Sequence, residues 1–190
     1  MLFGTYEQDN NKETTDTIEW VKTSAIGSSS DGTFQTLMSL QALSAVAWNS
    51  TGSGNDWSKD YCNIRSWLNG TFYDTFDATQ KAAIAKTSLT TYKYDSTDVL
   101  CLTDGDYVFL PSAEEAKDMS NLVCYPTASA IAAGCWINSS TGSCDWWLRS
   151  PGEADEAAAD VNSSGGINGG GGNYVGDAEG AVRPVINLLL

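Results

Sequence analysis

Histidine is missing from all 190 residues. Its absence removes the usual general base near neutral pH, the serine–histidine–aspartate arrangement and the commonest zinc ligand. Positive charge is scarce: ten Lys and Arg stand against twenty-four Asp and Glu, a formal net charge of −14. A field of that sign repels nucleic-acid phosphates and anionic membrane surfaces, so neither is expected as a partner. The acidic residues are spread along the chain and serve solubility; attraction of basic protein patches or of cations is the functional alternative. No apolar run approaches the length of a membrane span, and Met1 to Thr5 has neither the basic start nor the apolar core of a secretory signal. If the protein is displayed at a cell surface or outside the cell, its signal is expected to lie outside this sequence. Cysteine occurs at 62, 101, 124, 135 and 144, never as Cys-x-x-Cys and never at zinc-ligand spacing. Buried free thiols are expected, with one disulfide in the 124 to 144 region as the alternative.

What is present suits one folded domain over residues 1–190. A hydrophobic content of 42%, with 11% aromatic residues, is ample for a core at this length. Thr17 to Val21 alternates like a strand, a Gly/Ser turn spans Gly27 to Gly32, and Thr33 to Leu40 reads as a second strand. Ala42 to Trp48 is a connector, and Asn49 to Asp56 a polar loop. Tyr61, Ile64, Trp67 and Leu68 recur at helical spacing, and Asn69-Gly70 is expected to stop that helix. Asp77 to Gln80 has the form of a capping box before Lys81 to Ala85, and Ser112 with Glu115 forms another. Ser88 to Tyr94 reads as a strand, Asp104-Gly105-Asp106 as a tight turn, and Tyr107 to Leu110 as a buried strand. That acidic trio lacks the further ligands and closing Glu of a calcium loop, so no metal is expected there. A short helix from Ala128 to Ala133 ends at Gly134.

The C-terminal part divides sharply. Asp145-Trp146-Trp147-Leu148-Arg149-Ser150-Pro151-Gly152 is stiff and rich in large side chains, and each indole N–H needs a partner if it is buried. Residues 153–180 then collapse into Glu, Ala, Asp, Asn, Ser and Gly before order returns at Ala181 to Leu188. Residues 1–144 therefore read as scaffold and 145–190 as core strands that carry an insert. Within it Ala157, Ala159 and Val161 alternate with Ala158, Asp160 and Asn162, and Ser163 to Gly166 is a turn before Ile167. This predicts a hairpin with one wet face, followed by a loop from Asn168 to Gly180 pinned by Val175.

Three stretches, Trp146 to Gly152, the Val161-Asn162-x-x-Gly165-x-Ile167 hairpin and Val182-Arg183-Pro184-Val185-Ile186, resemble a prokaryotic family with a C-type-lectin-like fold. Within it the chain is similar to the variable proteins of diversity-generating retroelements, an archaeal subgroup in particular. Asn63 to Asn69 with Phe72 and Phe76, and Tyr107 to Glu115, resemble the same family. The resemblance implies an α+β, C-type-lectin-like fold, shared with the formylglycine-generating enzymes, in which antiparallel strands and short helices support a long loop-rich insert. It also implies that a mutagenic reverse transcriptase rewrites adenines in the C-terminal coding repeat, turning asparagine codons into those for Asp, Ser, Gly, Ala, Tyr or Thr. Residues 153–180 draw almost wholly on that set, which permits such mutagenesis without demonstrating it.

On this reading the protein binds a partner, another protein or a cell-surface ligand, with no cofactor and no catalytic step. The expected ligand face is Glu153, Ala154, Asp155, Glu156, Asp160, Asn162, Asn168, Gly170, Gly172, Asn173, Tyr174 and Asp177. Tyr174 is either a contact anchor or a loop plug. Trp146, Trp147, Arg149, Arg183 and Pro184 are expected framework, with each arginine pairing a carboxylate or capping carbonyls to lock the insert's ends. The competing class is a structural or regulatory module of the same fold without diversification. Catalysis would need acidic pairs such as Asp155/Glu156 or Asp177/Glu179, which sit in a solvated insert where burial hardly raises a carboxyl pKa. The cysteines that the formylglycine-generating relatives use near the C-terminal core have no counterpart beyond Cys144.

Overall fold

The computed structural model describes residues 1–92 and 98–190; the end of the expected Ser88 to Tyr94 strand lies outside them. In chain order the strands are β1 (Leu2–Tyr6), β2 (Asp16–Lys22), β3 (Phe34–Ser39), β4 (Ser44–Ala45), β5 (Thr87–Tyr92) and β6 (Val99–Asp106). They continue as β7 (Val108–Phe109), β8 (Trp146–Pro151), β9 (Ala157–Val161), β10 (Ile167–Tyr174), β11 (Ala181–Val182) and β12 (Val185–Leu189). Among the described residues four short helices, α1 (Asn63–Trp67), α2 (Ala78–Ala83), α3 (Ala113–Lys117) and α4 (Ala128–Ala132), complete a mostly β protein.

One five-stranded sheet has the order β1-β2-β3-β12-β7, a second the order β10-β9-β8-β11-β4, and β5 with β6 forms a separate hairpin. Among the described residues every pairing of these strands is antiparallel except β11 with β8. The chain passes from the second sheet to the first at Arg183-Pro184. The proline interrupts the ladder where its missing N–H leaves no orphan, while its carbonyl accepts from the Ser39 N–H at 2.9 Å. Between the sheets lies a single core in which Trp20, Trp48, Trp57, Trp146 and Trp147 are buried. Each of these indoles donates its N–H, to the carbonyls of Phe3, Leu148, Leu122 and Val46 or, for Trp57, to the Asp106 carboxylate. Buried Asn187 is likewise satisfied, accepting from the Thr36 hydroxyl at 2.6 Å and donating to the Ile26 carbonyl at 2.9 Å.

Both capping boxes form: the Asp77 side chain accepts from the Gln80 N–H, and the Ser112 hydroxyl from the Glu115 N–H, with each reciprocal bond present. Two other local signals are overridden. Asn69-Gly70 does not end its helix; α1 runs on through a π turn from Leu68 to Phe72 and a 3-10 turn from Tyr73 to Thr75. The Asn69 side chain instead accepts from the N–H groups of Tyr107 and Val108 and donates to the Val108 carbonyl, which fastens the helix to β7. Asp104-Gly105-Asp106 is no turn but the end of β6, where Gly105 (φ 107°) sits beside a register shift opposite Thr87 and Ser88. Asp106 is buried and paired with Arg65 at 2.7 Å. β4 and the extension of β10 through Asn168 to Tyr174 are strands where connector and loop were expected, and β1 is a strand where no element was assigned.

The five cysteines are free and buried. Cys124 and Cys144 face each other across an isolated antiparallel bridge, and the Cys144 thiol lies within hydrogen-bonding reach of both Cys124 and Cys135. Burial pushes the Cys62 thiol up to about 12.

Candidate ligand face and the cavity beneath it

The insert hangs between β8 and β11, and buried arginines hold both of its roots. Arg149 makes a bidentate ion pair with Glu115 and donates to the carbonyls of Leu110 and Thr90 and to the Thr91 hydroxyl. Arg183 caps the carbonyls of Ser39, Leu40 and Asn121 and lies over the Trp146 ring, 5.2 Å from its centroid. Both expected roles are thus met at once, a carboxylate pair on one side and carbonyl capping on the other. The scaffold loop 46–55 laces the insert further. The Asn49 N–H donates to the Val175 carbonyl, the Gly54 N–H to that of Asp155, and the Asn55 amide to those of Ala154 and Ala157.

The expected hairpin forms, with Ile167 opposite Val161 and Asn168 opposite Asp160. Its predicted wet face does not. Every residue of β9 is buried, because β8 and β10 flank it and the sheet is covered on both faces; Asp160 is only 2% exposed. Its carboxylate accepts from the Asn168 amide at 3.1 Å. Asn162 is not a projecting contact either. Its side-chain oxygen accepts from the N–H groups of Ser164 and Gly166, which builds the turn itself. Gly172 has φ 61°, and a Cβ there would stand 2.4 Å from the Ala158 carbonyl oxygen, so backbone geometry fixes it as glycine.

Of the expected face, Glu153, Ala154, Asp155, Glu156, Tyr174 and Asp177 reach solvent, with Asn168, Gly170 and Asn173 half-buried. Tyr174 combines its two alternatives: the ring lies against Gly52 and Gly176, yet 57% of the residue is exposed.

Behind this face is a cavity of about 220 Å³. Trp147 and Asp160, cross-strand partners in β8 and β9, point into it from the sheet, and Asp145 lines it from the start of β8. Asn173, Asp177 and Glu179 close one side and Trp136, 45% exposed, forms the rim. The Trp136 N–H donates to the Glu179 carbonyl at 3.1 Å, and Gly180 packs flat on the Trp147 indole, where a Cβ would come within 2.1 Å of Nε1. Burial, reinforced by the neighbouring Asp145 carboxylate and opposed by the Asn168 amide, pushes the Asp160 carboxyl up to about 7. Burial also raises Asp145, against the Ser163 N–H that it accepts.

Sequence reasoning placed Asp160, Asn173 and Asp177 on the ligand face but missed Trp136, Asp145 and Glu179, which no local pattern connects. The one cluster with metal-like spacing is elsewhere: among the described residues only the carboxylates of Glu7, Asp9 and Asp16 bring three such ligand atoms within 4.8 Å. Asp9 and Asp16 accept N–H groups of the β1–β2 loop, a structural use.

Fold and face together define a mostly β domain that carries a glycine-rich insert on rigid roots over a tryptophan-walled, carboxylate-lined cavity. The chain belongs to the family described as Domain of unknown function (DUF6273), which matches residues 33–190. No curated protein and no solved structure is detectably similar to it. The family match takes in the cavity, the insert and both arginine-held roots, and leaves out β1 and β2.

Proposed function

We propose that the protein is a recognition module of C-type-lectin-like architecture, α+β in class, whose insert presents a diversified ligand face to another protein or to a cell-surface ligand. The observation that carries this reading is the contrast within the insert. Glu153 to Glu156, Tyr174 and Asp177 reach solvent, while their backbone is tied to the scaffold through Asn49, Gly54 and Asn55 and to the core through Arg149 and Arg183. A surface whose side chains change while its backbone stays fixed is what preorganised recognition requires. The reading needs no cofactor and no catalytic step, and it keeps the retroelement resemblance as its account of how specificity arises.

Deep sequencing of the 3′ end of the gene in its natural population tests it. The expected result is substitution confined to adenine-containing codons at the exposed positions, with Trp146, Trp147, Arg149, Gly172, Gly180, Arg183 and Pro184 constant. Sparse variation spread evenly along the gene refutes diversification and leaves a lectin-like structural or regulatory module.

A further inference from the structure

We infer that the cavity beneath the insert takes one organic cation, an alkylammonium or guanidinium group such as a lysine or arginine side chain offered by a protein partner. This assignment rests on the recognition reading and names the chemistry of its anchor point. It follows first from sign. Asp145, Asp160, Asp177 and Glu179 line one cavity, and among the described residues no Lys or Arg lines it. The three arginines, which could have neutralised such a group, are engaged elsewhere: Arg65 with Asp106, Arg149 with Glu115 and Arg183 on three carbonyls. Asp160 sheds its proton only above about pH 7, and from there a buried carboxylate beside a second one is costly without a counter-charge. Among the described residues the Asp160 carboxylate accepts from the Asn168 amide alone.

The aromatic wall narrows the class. Trp147 supplies an apolar floor, and Trp136 has exposed indole to offer at the rim. A cation seated over such a ring gains from the negative ring face, and more so where water is excluded. A metal ion fits poorly, since no three of the cavity carboxylates meet the 4.8 Å spacing that Glu7, Asp9 and Asp16 do. Carboxylates spread around an aromatic-walled hollow suit a cation with an apolar stem and several donors, whose stem packs on tryptophan while its N–H groups reach different oxygens. Anions are excluded by the same charges.

The rim also has a fixed origin. Trp136 is set by its N–H bond to Glu179 and Asp145 by the N–H of Ser163, so hydrogen bonds to the insert hold both of these walls in place. Diversification at Glu153 to Glu156 would then vary the surroundings of the cation anchor, and diversification at Asp177 one of its own walls.

The test titrates the full chain with n-butylammonium and n-butylguanidinium, following tryptophan fluorescence and backbone amide shifts, beside n-pentanol, butyrate and a methyl glucoside. Saturable binding of the two cations with Kd of about 1–10 mM is expected for fragments of this size. It should weaken severalfold when salt is raised from about 0.05 to about 0.5 M. Trp136→Ala, at an exposed position, and Asp160→Asn should each weaken it about tenfold or more, with the backbone spectrum otherwise retained. Three results overturn the assignment: no saturation by either cation up to about 50 mM, equal binding of the alcohol or the glucoside, or binding indifferent to both substitutions. The recognition reading fails separately, through the population sequencing. Cation binding with uniform gene variation would leave a fixed cation site on an undiversified module.

Discussion

Replacing Asp160 with asparagine should stabilise the fold in mildly alkaline solution and do little in acid. In the folded chain the carboxyl holds its proton to about pH 7, because burial and the Asp145 carboxylate both disfavour its charge; in the unfolded chain it ionises near 3.8. Below pH 3.8 both states are neutral and the group has no effect on stability. As pH rises from there the unfolded state loses its proton first, so stability falls until about pH 7, where the loss becomes constant. About three pH units at about 1.36 kcal/mol each set a ceiling of about 4 kcal/mol. Water entering the cavity reduces this to about 2 kcal/mol. Asparagine keeps the shape and still accepts from Asn168, and its new amide donors face the cavity. For a chain of this length the gain at pH 8 corresponds to a Tm rise of about 4–8 °C, shrinking to a degree or two near pH 4.5. Urea unfolding of both proteins at the two pH values measures it, and Asp145→Asn in the same background should shrink the difference by lowering the Asp160 pKa. A shift of equal size at both pH values, or a loss of stability at pH 8, would refute the assignment of a buried, uncompensated charge.

Arg149→Met should cost about 3–5 kcal/mol in chemical denaturation, since it strands Glu115 and the buried carbonyls of Leu110 and Thr90; a cost below about 1 kcal/mol would mean that the pair contributes nothing to anchoring the insert. Gly172→Ala should destabilise by about 1–3 kcal/mol, because the residue has φ 61° and a Cβ would meet the Ala158 carbonyl; a neutral effect would show that β10 shifts freely. Gly180→Ala, which drives a methyl into the Trp147 indole, should alter tryptophan emission and lower Tm together, and unchanged emission would argue against that packing. Under non-reducing conditions a thiol reagent should label all five cysteines in guanidinium and none quickly in the native protein; three labelled thiols in guanidinium would establish instead a disulfide among Cys124, Cys135 and Cys144.

What could be read from sequence was what depends on neighbours a few residues away. The capping boxes at Asp77 and Ser112 are closed circuits of four residues, and the Ser163 to Gly166 turn is formed by the Asn162 side chain just before it. The buried arginines were legible for a different reason: in so acidic a chain, a cation beside tryptophan or proline has few roles other than internal pairing. The failures all lie where a distant partner decides. Asn69 reads as a helix stop until Tyr107 and Val108, nearly forty residues on, claim its side chain. Asp106 reads as part of a turn until Trp57 and Arg65 reach it. The alternation in β9 suggests one wet face because a lone strand pattern cannot show that both sides of its sheet are covered, so the burial of Asp160 was invisible. The cavity was equally hidden, since Trp136 and Glu179 meet only after β8 to β11 have assembled.

The crossing at Arg183-Pro184 governs the order in which the chain can close. β12 lies inside its sheet, between β3 and β7, yet it is made after every residue of the insert. A ribosome delivers residues in order, at about 5–20 per second, so β3 and β7 must wait unpaired on their inner edges until the insert has been synthesised and the last strand emerges. An insert that cannot seat its roots leaves that gap open, with bare strand edges exposed to aggregation and proteolysis. β12 thus acts as a latch that closes its sheet only after the insert between β8 and β11 has been made and seated.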